Sequence, residues 1–205
     1  MWLHRQPQVH SAPICTHGHA GCQLLSLADL FDRVIQHSAR MHGLSNDLHS
    51  EFHGALFNRA LMFCTDVSPR MPVFLYNFTQ REELTEVILK LLLAWRDPLS
   101  QFHQSIAHHE DFNSFSSNKA LEMSDMVHEL KNGVEKVAEK MQLLGMISNS
   151  LGGLSSAEAL LAGTSSGESH AMSDYELLHC FRRDSNKVQN YLKILKCRIV
   201  PEHGC

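Results

Sequence analysis

The chain has 205 residues, 43% of them hydrophobic and 20% charged, with a formal net charge of −4. This length suits one domain with a sizeable core, the composition argues against global disorder, and the negative balance argues against nucleic-acid binding, which needs a basic surface. The most apolar run, VILKLLLAW, has a lysine inside it and falls far short of the ~20 residues that a membrane-spanning helix needs.

The first residues, MWLHRQPQVHS, lack the apolar stretch of a secretion signal, yet Val9 and Ser11 hold the −3 and −1 positions of a cleavage site before Ala12. Residues 1–11 therefore read as the tail of a signal or an unstructured N-terminus, and residues 12–205 as one helical domain. Next comes Cys15-Thr-His17-Gly-His19-Ala-Gly-Cys22, in which sulfur and imidazole groups lie close enough to invite a metal. A disulfide explains the same segment and fits the rest of the chain better. Six cysteines (15, 22, 64, 180, 197 and 205) permit fifteen pairings, and no C-x-x-C occurs among them. The short separations 15–22 and 197–205 favour two local loops, which leaves Cys64 for Cys180. Three disulfides imply an oxidising compartment.

Apolar periodicity finds helices and no strand alternation. The first helix carries Leu27, Leu30, Val34, Met41 and Leu48, and Ser26-x-x-Asp29 supplies its start. A long connection over 51–80 follows, holding Cys64, Pro69, Pro72 and the sequon Asn77-Phe78-Thr79, a candidate N-glycosylation site. The second helix has Leu84, Val87, Ile88, Leu91, Leu92 and Trp95, and Pro98 is expected to end or kink it. After a short link near 107–116, the third helix alternates steps of three and four through Ala120, Met123, Val127, Leu130, Val134, Val137, Met141 and Leu144. Gly133 is odd inside it, because glycine costs about 1 kcal/mol relative to alanine in a helix. A helix notch, a tolerated glycine and close helix packing all account for it.

A second long connection, rich in Gly and Ser, leads to the fourth helix. It contains GTSSG at 163–167, but a nucleophile elbow needs a strand before and a helix after, so no hydrolase is read from it. The fourth helix places Leu178, Phe181, Ser185, Val188, Leu192, Leu195 and Ile199 on one face. His179, Arg183 and Asn186 then lie opposite, with Tyr175, Arg182 and Lys187 on the flanks. Cys180 falls off the core stripe, so its partner is expected from outside the bundle, and Cys64 suits that role. Such a cationic face is either solvated or a binding platform, since Arg and Tyr are enriched at binding hot spots. Long, short and long connections imply an all-α four-helix bundle with up-up-down-down topology and two long crossovers.

These residues carry a resemblance. HCFRRDSNKVQNYLKILKCR closely resembles the C-terminal helix of prolactins, and SLADLFDRVIQHSARMHGLS their first helix. LLLAWRDPL looks like the ending of their second helix, and NKALEMSDMVHELKNGVEKV is similar to their third. The cysteine spacings of 7, 116 and 8 are also prolactin-like. Growth hormones share the fold but lack the N-terminal cysteine pair, so the likeness is to land-vertebrate prolactins or the second prolactin of fishes. It implies a secreted hormone that binds and dimerises a single-pass prolactin-type receptor, one hormone to two receptors, and so triggers intracellular kinase signalling. A one-site binder that fails to recruit the second receptor is the alternative. Carried over by position, the first receptor surface comprises Ile35, Tyr175, His179, Arg182, Arg183, Lys187 and Tyr191. The second comprises Arg33 and Gly133, with the notch reading of Gly133 preferred.

The departures matter too. Asn186 stands where many prolactins carry histidine, which weakens the expected pH response, although His179 remains. Relatives that use zinc supply two first-helix histidines and a fourth-helix acid; here the positions read Ala39, His42 and Gln189. No metal or cofactor is expected. His49 and His53 in HSEFH match neither zinc-protease motif, and no Gly-rich phosphate loop occurs, so the chain reads as non-enzymatic.

Overall fold

The computed structural model describes residues 25–53, 64, 81–107, 114–148, 174–203 and 205. They form α1 (Leu27–His53), α2 (Arg81–Ala107), α3 (Ser114–Leu143) and α4 (Asp174–Ile199). Residues 1–11, the Cys15 and Cys22 pair and Asn77 lie outside them. Among the described residues there is no strand, and no helix is long and apolar enough to cross a membrane.

Local chemistry sets several helix ends. Ser26 caps α1: its hydroxyl accepts from the Asp29 amide at 3.1 Å, while the Asp29 carboxylate accepts from the Ser26 amide at 2.9 Å. This reciprocal pair is the capping box that the sequence predicts. α3 ends at Gly145, whose φ of 67° a side chain would resist. The Gly145 amide reaches Gln142 O and the Met146 amide reaches Met141 O, so two late carbonyls are satisfied by a Schellman turn. The turn also corrects the expected third stripe. Leu144 is 49% exposed, and Ile147, beyond the turn, is buried in its place.

α2 continues through Pro98 to Ala107, so of the two outcomes expected of that proline it does not end the helix. A proline inside a helix costs ~3 kcal/mol. Leu99, Phe102 and Ile106 are all buried on the continuation, and full burial stabilises by ~1.5–3 kcal/mol for each such side chain. Three such gains outweigh one missing hydrogen bond.

Contacts between helices define the topology. On α1 and α4, Asp32 pairs with Lys196, His42 with Ser185, and His49 lies against Tyr175 and His179, so the two helices are antiparallel. His37 meets Met126 and Glu51 meets Lys119, which makes α1 antiparallel to α3. Arg81 donates to Arg198 O, and Trp95 lies edge-on to Phe181 with ring centroids 5.2 Å apart, so α2 is also antiparallel to α4. α1 and α2 therefore run together, consistent with Phe52 and Phe102 meeting near their C-terminal ends. The bundle is up-up-down-down. Its core runs along the expected apolar faces, from Val34, Met41 and Leu48 on α1 to Leu178 and Leu192 on α4. It adds Phe31, which the α1 stripe did not include, while the expected Leu30 is only half-buried.

Two disulfides lie within the described residues. Cys64 joins Cys180 with a Cα–Cα distance of 5.4 Å, and Cys197 joins Cys205 at 5.5 Å. Cys180 is buried although it lies off the apolar stripe, because Cys64 of the first crossover covers it.

Candidate binding surfaces

The cationic face of α4 is organised by a residue that its helical pattern did not single out. Asp184 is wholly buried, yet it sits in the charged run Arg182-Arg183-Asp184. A buried carboxylate needs donors or cations to offset its lost hydration. It has three: the Trp95 indole N–H at 3.1 Å, Arg183 Nε at 2.9 Å and Lys187 Nζ at 3.0 Å. The available signal was a lone acid three residues before Lys187 and three after Phe181, at the border of the apolar stripe. Arg183 has a second task, donating from its other guanidinium nitrogen to Cys64 O at 3.2 Å. Expected opposite the core, it instead ties the first crossover to α4.

A second group lies where α1 crosses α4. His42 Nδ1 is 2.9 Å from Ser185 Oγ, and Asn46 Nδ2 is 3.3 Å from His42 Nε2. Since the Ser185 hydroxyl donates to Arg182 O, the consistent tautomer has His42 Nδ1–H donating to Ser185 and bare Nε2 accepting from Asn46. Burial, reinforced by Arg182, lowers the His42 pKa below its usual value. His179 is lowered likewise, by burial first and then by Arg182 and Arg183. His49, buried on α1, lies 5.1 Å from the Tyr175 ring and 5.6 Å from that of His179. Burial raises the Tyr191 pKa, helped by the negative charge of Asp184.

The structure thus gathers most of the residues nominated for the first surface. Tyr175 and His179 share one aromatic group, Arg183 and Lys187 share Asp184, and Arg182 acts electrostatically on both lowered histidines. Tyr191 is half-buried farther along α4, and Ile35 is half-buried against the core from α1. Of the three positions that match zinc ligands elsewhere, Ala39 and Gln189 are not ligands of that kind and His42 is already hydrogen-bonded. What remains is a face of cations, imidazole and phenol tied to Asp184 and to the Cys64 carbonyl.

Arg33 and Gly133 lie apart from this face. Arg33 is exposed on α1, while Gly133 is half-buried on α3. A Cβ at Gly133 would stand 2.9 Å from Val34 Cγ1, closer than such atoms pack. Close approach of α1 and α3 is therefore a sufficient reason for glycine here, whatever else the position does.

The whole chain, residues 1–205, matches the Somatotropin hormone family. Members are secreted, non-enzymatic helical hormones that bind cytokine receptors. The four-helix up-up-down-down bundle, the disulfide-pinned crossover and the match over its full length lead to one conclusion: the chain belongs to the Somatotropin hormone family.

Proposed function

We propose that this chain is a prolactin-like hormone that binds and dimerises a prolactin-type receptor, one hormone to two receptors, and so triggers intracellular kinase signalling. The observation that carries the reading is the cationic and aromatic face of α4, held from beneath by Asp184 and from the side by the Cys64 crossover. A face prepared in this way loses little side-chain entropy on binding, which favours affinity. The prolactin-like sequence of α4 and the spacings of all six cysteines support the prolactin branch over growth hormone. In this reading Ile35, Tyr175, His179, Arg182, Arg183, Lys187 and Tyr191 contact the first receptor, and Arg33 and Gly133 the second.

A one-site binder is the second reading, and Val34 favours it. Because packing against Val34 accounts for Gly133, that glycine no longer requires a receptor to explain it.

Stoichiometry separates the two. Oxidised protein is mixed with the ectodomain of a prolactin-type receptor and weighed by analytical ultracentrifugation, beside Arg33→Glu, which alters the second surface without touching the core. A 1:2 complex that falls to 1:1 in the variant supports the agonist. A 1:1 complex for both identifies the one-site binder, and no complex at all overturns the receptor assignment.

A further inference from the structure

His37 sits on α1 between the core positions Val34, Ser38 and Met41, at the seam with α3. Its side chain is only 14% exposed. The ring spans the seam: Nε2 is 3.0 Å from the main-chain oxygen of Met126 in the middle of α3, and Nδ1 is 3.2 Å from an Arg40 guanidinium nitrogen. A carbonyl oxygen only accepts and a guanidinium only donates, so both bonds exist together in one neutral tautomer, with the proton on Nε2. The Met126 carbonyl has a second lone pair, so it takes this bond without giving up its place in the helix. Glu129, one turn along α3, brings its carboxylate to 3.9 Å from the same ring nitrogen.

The position of this bridge gives it its significance. Arg33 is one turn before His37 on α1, and Glu129 is one turn before Gly133 on α3. Gly133 allows the helices to approach until Val34 fills the space its side chain would need. Glycine sets how close they can come, but exerts no pull. The His37 bond supplies a directional tie at the same seam, and a leucine could fill the site without making it.

We propose that His37 is a positioning residue for the second receptor surface: its bridge from Arg40 to the Met126 carbonyl sets the spacing of α1 and α3 that presents Arg33 and Gly133 together. The inference rests on the two-surface reading above. His37 touches no receptor in it, and acts through the seam.

The test uses the full, oxidised chain and its His37→Leu and His37→Gln variants. Leucine fills the site without polar atoms, whereas glutamine can donate to Met126 O and accept from Arg40. Two readouts are taken: binding of the first and second copies of a prolactin-type receptor ectodomain by surface plasmon resonance, and the His37 tautomer from long-range proton–nitrogen NMR. His37→Leu is expected to weaken second-copy binding about tenfold, near the worth of one net hydrogen bond, and to leave first-copy binding unchanged. His37→Gln is expected to restore most of it, and the native ring to show the proton on Nε2. Equal second-copy binding for all three proteins overturns the inference and spares the two-surface reading, as does a ring protonated on Nδ1. Equal weakening of both copies in His37→Leu also overturns it, by showing a general packing role. A native chain that binds only one copy removes the two-surface reading and this inference with it.

Discussion

The indole N–H of Trp95 on α2 donates to the carboxylate of Asp184 on α4 across 3.1 Å, and both side chains are buried. That bond joins the core to the surface, because the same carboxylate holds Arg183 and Lys187 on the outer face of α4. Asp184→Ala should therefore act on both. Breaking a buried ion pair costs ~3–5 kcal/mol, but the two cations keep partial contact with water, so the cost falls below that range, at about 2–3 kcal/mol. Trp95→Phe removes one donor and should cost about 1–2 kcal/mol. Urea unfolding gives both values. Under the receptor reading, Asp184→Ala should also speed receptor dissociation, since Arg183 and Lys187 lose their common anchor.

The two described disulfides should differ in worth. Cys64–Cys180 closes a span of 116 residues and Cys197–Cys205 one of 8. On the chain-entropy account these contribute about 4–5 and about 2–3 kcal/mol respectively. Replacing each pair by serine and comparing unfolding midpoints should rank them in that order. Loss of the longer one should also loosen the Arg183 contact with Cys64 O, which proteolysis of the first crossover would report.

Gly133→Ala sets two effects against each other. Alanine gains up to about 1 kcal/mol of helix propensity, but its Cβ meets Val34 Cγ1 at 2.9 Å. Val34 is buried and β-branched, with little rotamer freedom in a helix, so it yields poorly. The single variant should be destabilised. In a Val34→Ala background the same change should become neutral or stabilising, and a double-mutant cycle measures the difference.

The lowered pKa values of His42 and His179 make a signed prediction about acid. A histidine whose folded pKa lies below its unfolded value of about 6.5 takes up a proton more readily when unfolded. Its contribution is present above that value and is lost as the pH falls toward and through the folded pKa. The urea midpoint should therefore drop between pH 7.5 and 5.5, and His42→Gln and His179→Gln should each flatten the slope. An unchanged slope in both variants would assign the acid response to other groups.

The limits of sequence reading follow from particular residues. Helix faces were legible because they depend on local geometry: 100° per residue turns a 3-4 spacing into a stripe, whatever lies opposite. Ser26 and Asp29 show the same thing at a helix start, where three residues contain the whole interaction. Connection lengths then limited how four such stripes close on one another, and the topology followed.

What only the tertiary structure decided is the environment of each residue that departs from its stripe. Asp184 resembles any solvated acid until α2 brings Trp95 to it. Pro98 looks like a stop until burial of the residues beyond it outweighs its cost. Arg183 became a tie to the crossover only because Cys64 is bonded to the preceding turn. Gly133 and His37 acquire meaning only from Val34 and Met126 across the seam. The sequence by itself determined which residues form helices and which faces they bury, since both depend on neighbours along the chain. The partners of buried polar groups depend on neighbours through space, and only the assembled bundle decided those.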